Sequence, residues 1–409
     1  MNDWLTAWLE QPQAYTYLAI PVVAALVGWL TNWLALAMTF KPIEFVGFRP
    51  LRLGWQGIVP AKSGKMAGIV VDNALAKLAD LSELFQAMEP EKIAEHIAKS
   101  IDERIEDYID EVMRENHAVL WERVPLMVRR RVYARTRRQL PEVMDNIVED
   151  MAANIEQLVD LRDMVVRMMR ANKALVVRVF TEVGAHELRF VVRSGAYFGF
   201  LFGLLELGIY LYYPEPWLLP LFGFVVGYLT NWLALNLIFR PVEPISWGPL
   251  HLHGLFMRRK SEVADKLSAL TTAEIINLRN LMVEVLTGPQ AGKTRAIVKR
   301  HLRPLLDSSV IRAALQLAMG AEAYIDLKNT VTDRAVAMSL DSITEASFSD
   351  ERSQVIDRVF SGRLKAMSNS AFQDLLRPAF KEDEWILIGL GALLGGVAGM
   401  LQWLLMVGL

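Results

Sequence analysis

Residues Gly28–Pro42 read GWLTNWLALAMTFKP, and residues Gly227–Pro241 read GYLTNWLALNLIFRP, at an offset of 199 residues. Ten of the fifteen positions are identical, and Lys41 and Arg240 exchange one cation for another. Each copy closes a long apolar run and hands over to charged sequence. A Thr–Asn pair inside apolar sequence, written twice with a cation and a proline at its exit, marks a duplicated membrane protein. Pro21 and Pro220 stand at the same offset, seven residues before each repeated glycine. A proline there either kinks a helix or begins one.

The apolar runs carrying these motifs cover residues 15–40 and 217–239, and two more cover 194–213 and 385–408. Each is long enough to cross a hydrocarbon core of roughly 30 Å. The chain is 53% hydrophobic and 22% charged, which fits spans alternating with sizeable water-exposed regions. The expected fold class is therefore an all-α integral membrane protein with four transmembrane helices in two parallel repeats. Repeat 1 is 1–213, with span 15–40, a loop and helices over 41–193, and span 194–213. Repeat 2 is 214–409, with span 217–239, a loop and helices over 240–384, and span 385–408. Both repeats run the same way across the bilayer.

Between the spans the pattern changes. Residues 43–60 mix aromatics, Gly and Pro, which predicts a short hairpin or irregular interfacial loop, and 240–260 mirrors it. From about 65 to 193, and again over 261–383, apolar residues recur at helical spacing. Pro90, Pro125 and Pro141 are expected to start or break helices there. Lys41, Arg49 and Arg52 follow span 1, and Arg240, Arg258, Arg259 and Lys260 follow span 3. The first 13 residues and the 212–216 link have no Lys or Arg. That bias places both termini outside and both helical regions in the cytoplasm of a bacterial inner membrane. The acidic start lacks the cationic region of a signal peptide.

Polar groups inside apolar runs are the candidate sites. Thr31, Asn32, Thr230 and Asn231 form either a polar site near the repeat axis or helix–helix glue. Glu206 is an acid well inside a span, and Gln402 aligns with it in the second copy. Gly195, Gly199 and Gly203 make one flat packing stripe, and Gly391, Gly395 and Gly399 make its counterpart. Lys41, Arg240, Trp55 and Trp247 are placed for contact with lipid head groups. Arg129, Arg130 and Arg131 open a basic run that either meets acidic lipid or a partner, or is neutralised by nearby carboxylates.

Other chemistry is not expected. With no cysteine there is no disulfide, thiolate metal site or cysteine nucleophile. His251 and His253 lack a third ligand close in sequence. No phosphate loop, GxSxG or HExxH occurs, so no catalytic residue, cofactor or metal is assigned and the protein is read as non-enzymatic. The expected partners are membrane lipids, a second copy of the chain, or an envelope protein, with no nucleic acid.

The repeated TNWLAL, the following Lys41-Pro42 and Arg240-Pro241, and Gly57-Ile58-Val59-Pro60 resemble the YheB/YjiN-like family of bacterial membrane proteins, a domain-of-unknown-function family. The resemblance covers most of the chain and implies an integral membrane protein with helical soluble parts. It brings no catalytic residue. The function expected is binding or moving a lipid or hydrophobic ligand, or scaffolding envelope partners. The alternative is an oligomeric transporter or channel lined by the intramembrane polar residues.

Overall fold

A computed structural model describes residues 12–48, 53–72, 80–213, 215, 217–247, 250–307, 326–339, 346–381 and 384–407. Four helices are long and apolar enough to cross a membrane: Pro12–Phe40, Ala185–Tyr212, Leu218–Phe239 and Glu384–Val407. The second begins nine residues earlier than the apolar run. Its first turns are amphipathic, burying Glu187 and Val191 while Arg189 and Arg193 face outward. Pro21 lies inside the first of these helices, whereas Pro220 sits in the first turn of the third.

The spans pack as two antiparallel pairs. In the first pair Gly195 meets Gly28, Gly199 meets Ala24, and Gly203 meets Pro21. In the second, Gly391 meets Gly227, Gly395 meets Gly223, and Gly399 meets Leu219 and Pro220. The approach is backbone to backbone. A Cβ added at Gly395 would stand 3.0 Å from the carbonyl carbon of Gly223, so only glycine permits it.

Buried amides fix the register of each pair. Asn32 Nδ2 donates to the Val191 carbonyl at 2.8 Å, and Asn231 Nδ2 donates to the Leu387 carbonyl at 3.0 Å. Thr31 and Thr230 donate to carbonyls one turn back, Gly28 at 3.2 Å and Gly227 at 3.3 Å. An amide left unpaired in hydrocarbon would cost several kcal/mol, of order 2–7, so these bonds are requirements of burial.

The membrane exits are built alike. Lys41–Pro42 and Arg240–Pro241 are both cis. Each leads into a two-stranded antiparallel hairpin, β1 (Val46–Phe48) with β2 (Leu53–Trp55), and β3 (Ile245–Trp247) with β4 (Leu250–Leu252). The backbone N–H of Gly57 donates to Pro42 O at 2.9 Å, and that of Gly254 to Pro241 O at 2.9 Å. The loops thus close the same way although Ile58-Val59-Pro60 and Leu255-Phe256-Met257 differ. The close fit explains the shared glycine: a Cβ at Gly57 would lie 2.8 Å from the Lys41 nitrogen.

The chain forms two compact units. One comprises Met1–Ala74, Val166–Leu267 and Leu364–Leu409, and holds all four spans and both hairpins. The other comprises Leu75–Val165 and Ser268–Arg363 and is a body of amphipathic helices. Each unit draws on both sequence halves, so the division at 213/214 is one of sequence and not of compact bodies. In the helical unit Pro90 opens the helix Pro90–Glu103, and Pro125 immediately precedes Leu126–Ala153. Pro141 does not break a helix as expected. It sits exposed inside Leu126–Ala153, where the flanking apolar residues Leu140, Met144 and Ile147 bury the helix on both sides of it.

Candidate functional site

The helical unit holds a half-open apolar cavity of about 910 Å³. Its walls come from two distant parts of the chain. The helices Ile105–Arg123 and Leu126–Ala153 supply one side, and Ala291–Leu306 with the helix over 326–339 supply the other. Val112, Met113, Trp121 and Leu327 form its packed floor. Their spacing is that of apolar helix faces. Beside this cluster the cavity is of the size that holds a small ligand.

The charged groups lining this cavity are of one sign. Arg131, Arg135, Arg138 and Arg334 line it, and no aspartate or glutamate does so among the described residues. The first three fall at i, i+4 and i+7 on Leu126–Ala153, a stripe about 10 Å long. All three are exposed and have no ion-pair partner among the described residues. Arg334 is held across the cavity wall by Glu111, and by Glu115 at 2.8 Å. Two polar atoms at the lining are buried without a hydrogen-bond partner: Arg334 Nε, a donor, and Gln139 Oε1, an acceptor.

A second polar cluster braces the floor. Trp121 Nε1 donates to Asp110 at 2.9 Å, and the Tyr133 hydroxyl donates to the same carboxylate oxygen. Burial, and then the Asp110 carboxylate, push the Tyr133 hydroxyl above its ordinary pKa, so it stays a neutral donor.

The basic run expected from sequence therefore splits by face. Arg129 is spent on structure: its Nε donates to Val124 O at 3.1 Å, its Nη2 to Trp121 O, and it lies over the Trp121 ring. It caps the carbonyl end of Ile105–Arg123, where a cation is favoured. Arg130 is exposed and outside the cavity lining. Arg137 pairs with Asp102 at 2.8 Å and Glu106 at 3.6 Å. Only Arg131, with Arg135 and Arg138, faces the cavity. Gln139 and Arg334 escaped notice in the sequence. The i, i+4, i+7 spacing of the arginines was the available signal, while nothing local marked Arg334.

The other candidates lie in the membrane unit. Thr31, Asn32, Thr230 and Asn231 serve the helix contacts already described, as do the six stripe glycines. Glu206 is 5% exposed and has no hydrogen-bond partner among the described residues. Gln402 is only half-buried, so the two aligned positions differ in environment. Lys41 and Arg240 are exposed at the span exits. The Trp55 indole N–H donates to Met38 O at 3.2 Å, tying the first hairpin to its span. Trp247 lies in β3, and its side chain is outside the described residues. Exposed apolar surface on the hairpins comes instead from Val46, Phe48, Leu53 and Ile245. His253 bonds within its own loop, to Val242 O at 3.1 Å. No group of three potential metal ligands occurs among the described residues.

No family model, no curated protein and no solved structure matches this chain.

Proposed function

We propose that this protein is a membrane-anchored binding protein for a lipid or similar hydrophobic ligand, held in the cavity of its helical unit. The observation that carries this reading is a cavity of about 910 Å³ with apolar walls and a cationic edge. A hydrophobic ligand seated against Ile, Val, Leu and Met walls of that extent removes apolar surface from water. The membrane supplies apolar ligands, and four apolar helices in the same chain would tether the helical unit to that source.

The same reading takes the two span pairs as a parallel duplication in a bacterial inner membrane, with the helical unit cytoplasmic. The Lys and Arg that follow spans 1 and 3 support that orientation. The hairpins, with Val46, Phe48 and Leu53 exposed next to Lys41, suit the head-group layer of the cytoplasmic leaflet. Membership of the YheB/YjiN-like family, assembly with a second copy, and the absence of enzymatic activity belong to this proposal.

The test is native mass spectrometry of the gently purified full chain and of Ala335→Trp, which places an indole in the cavity. The parent should carry a lipid adduct that Ala335→Trp lacks. No adduct, or the same adduct in both, would remove ligand binding from the cavity. The transport reading draws on one observation, the buried and unpartnered Glu206. Ion flux in liposomes that is lost in Glu206→Gln would favour it, and an absence of flux would dismiss it.

A further inference from the structure

The chemistry of the cavity edge specifies more than an apolar ligand. We propose that the cavity binds a single-chain amphiphile with an acidic head group. This rests on the lipid-binding reading above and names the ligand's head group.

Charge comes first. Arg131, Arg135, Arg138 and Arg334 line the cavity and no carboxylate lines it among the described residues. The first three carry no ion pair, whereas Arg137 on the same helix is paired with Asp102 and Glu106. Three like charges on one helix face repel one another, and an anion seated among them removes that repulsion. Guanidinium groups also match phosphate and carboxylate oxygens in geometry.

A neutral glyceride would leave the three unpaired arginines uncompensated, whereas a phosphate monoester or a carboxylate head would pair with them. The arginine stripe, about 10 Å long, accommodates a head of that size. Beyond it the walls are aliphatic, as an acyl chain requires.

The experiment offers the full chain, in a non-ionic detergent, an equimolar mixture of lysophosphatidic acid, oleic acid and monoolein. Native mass spectrometry then counts each adduct. Lysophosphatidic acid should exceed monoolein by roughly tenfold or more, the worth of one charge-assisted hydrogen bond. The Arg131→Gln, Arg135→Gln, Arg138→Gln triple variant should bring that ratio near one while monoolein still binds. These three side chains are exposed, so the triple variant leaves the apolar core intact. Monoolein bound by the parent as strongly as either acid would overturn the acidic head. Binding of all three that survives Ala335→Trp would place the lipid elsewhere, and binding of none would overturn the lipid reading itself.

Discussion

Gly199→Ala should destabilise the first span pair by about 2–3 kcal/mol relative to Gly208→Ala on the same helix. An ideal Cβ at Gly199 would stand 2.5 Å from the Ala24 carbonyl oxygen and 3.1 Å from the Ala25 Cα. At Gly208 a Cβ meets no heavy atom within 4 Å. Both substitutions gain the same helix propensity, so their difference isolates the contact. Ordinary contact begins near 3.4 Å, so the helices must part by about 0.9 Å to accept the methyl. A gap of that size forfeits roughly a quarter to a half of the dispersion energy of the atoms facing it. Neither backbone can yield by turning a side chain. The overpacking cost therefore belongs in the upper part of its usual range, about 1–3 kcal/mol. Gly395→Ala against Gly389→Ala repeats the comparison in the second pair, since Gly389 also faces open space. Reversible unfolding in mixed micelles, followed by circular dichroism against sodium dodecyl sulfate fraction, reads the difference. Pairs that agree within about 0.5 kcal/mol would refute close backbone approach as what holds these spans together.

Two further outcomes follow from named contacts. Asn32→Leu and Asn231→Leu each delete one amide-to-carbonyl bond and should cost about 0.5–2 kcal/mol in the same unfolding assay. No loss in either variant would remove the amides from the account of packing. The third prediction concerns pH. Arg259, and then Lys266, hold the Glu262 carboxyl down from 4.5 to about 2. A depressed carboxylate contributes stability above its ordinary pKa and loses it as pH falls through the lowered value. Glu262 should thus stay ionised at pH 3.5, with Arg259→Gln moving its titration back up; a carbon-13 titration that finds the parent carboxyl half-protonated near 4.5 would contradict the contact.

The sequence alone determined which helices are long and apolar enough to cross a membrane. Apolar length, the two TNWLAL copies and the glycine stripes are local properties, and each constrains one helix or one contact face. Gly195, Gly199 and Gly203 could be read as a packing stripe because i, i+4, i+8 spacing fixes one face of a helix whatever its partner is. The turn after each exit was legible for the same reason. Boundaries were less so, because amphipathic turns such as 185–193 continue a helix without lengthening its apolar run.

Tertiary structure alone decided what the polar residues are for. Asn32 reads as a ligand site or as glue until the Val191 carbonyl, 159 residues away, is found to accept its hydrogen bond. Arg129, Arg131 and Arg137 are alike in sequence, yet one caps a helix, one lines the cavity and one is neutralised by carboxylates. The cavity is the extreme case. It is lined by helices from 101–144 and from 302–338, which bring Arg334 to the same cavity as the arginine stripe. Hydropathy sums over neighbours in sequence, whereas a void and an unpaired charge are defined by neighbours in space, and no single stretch of this chain encodes them.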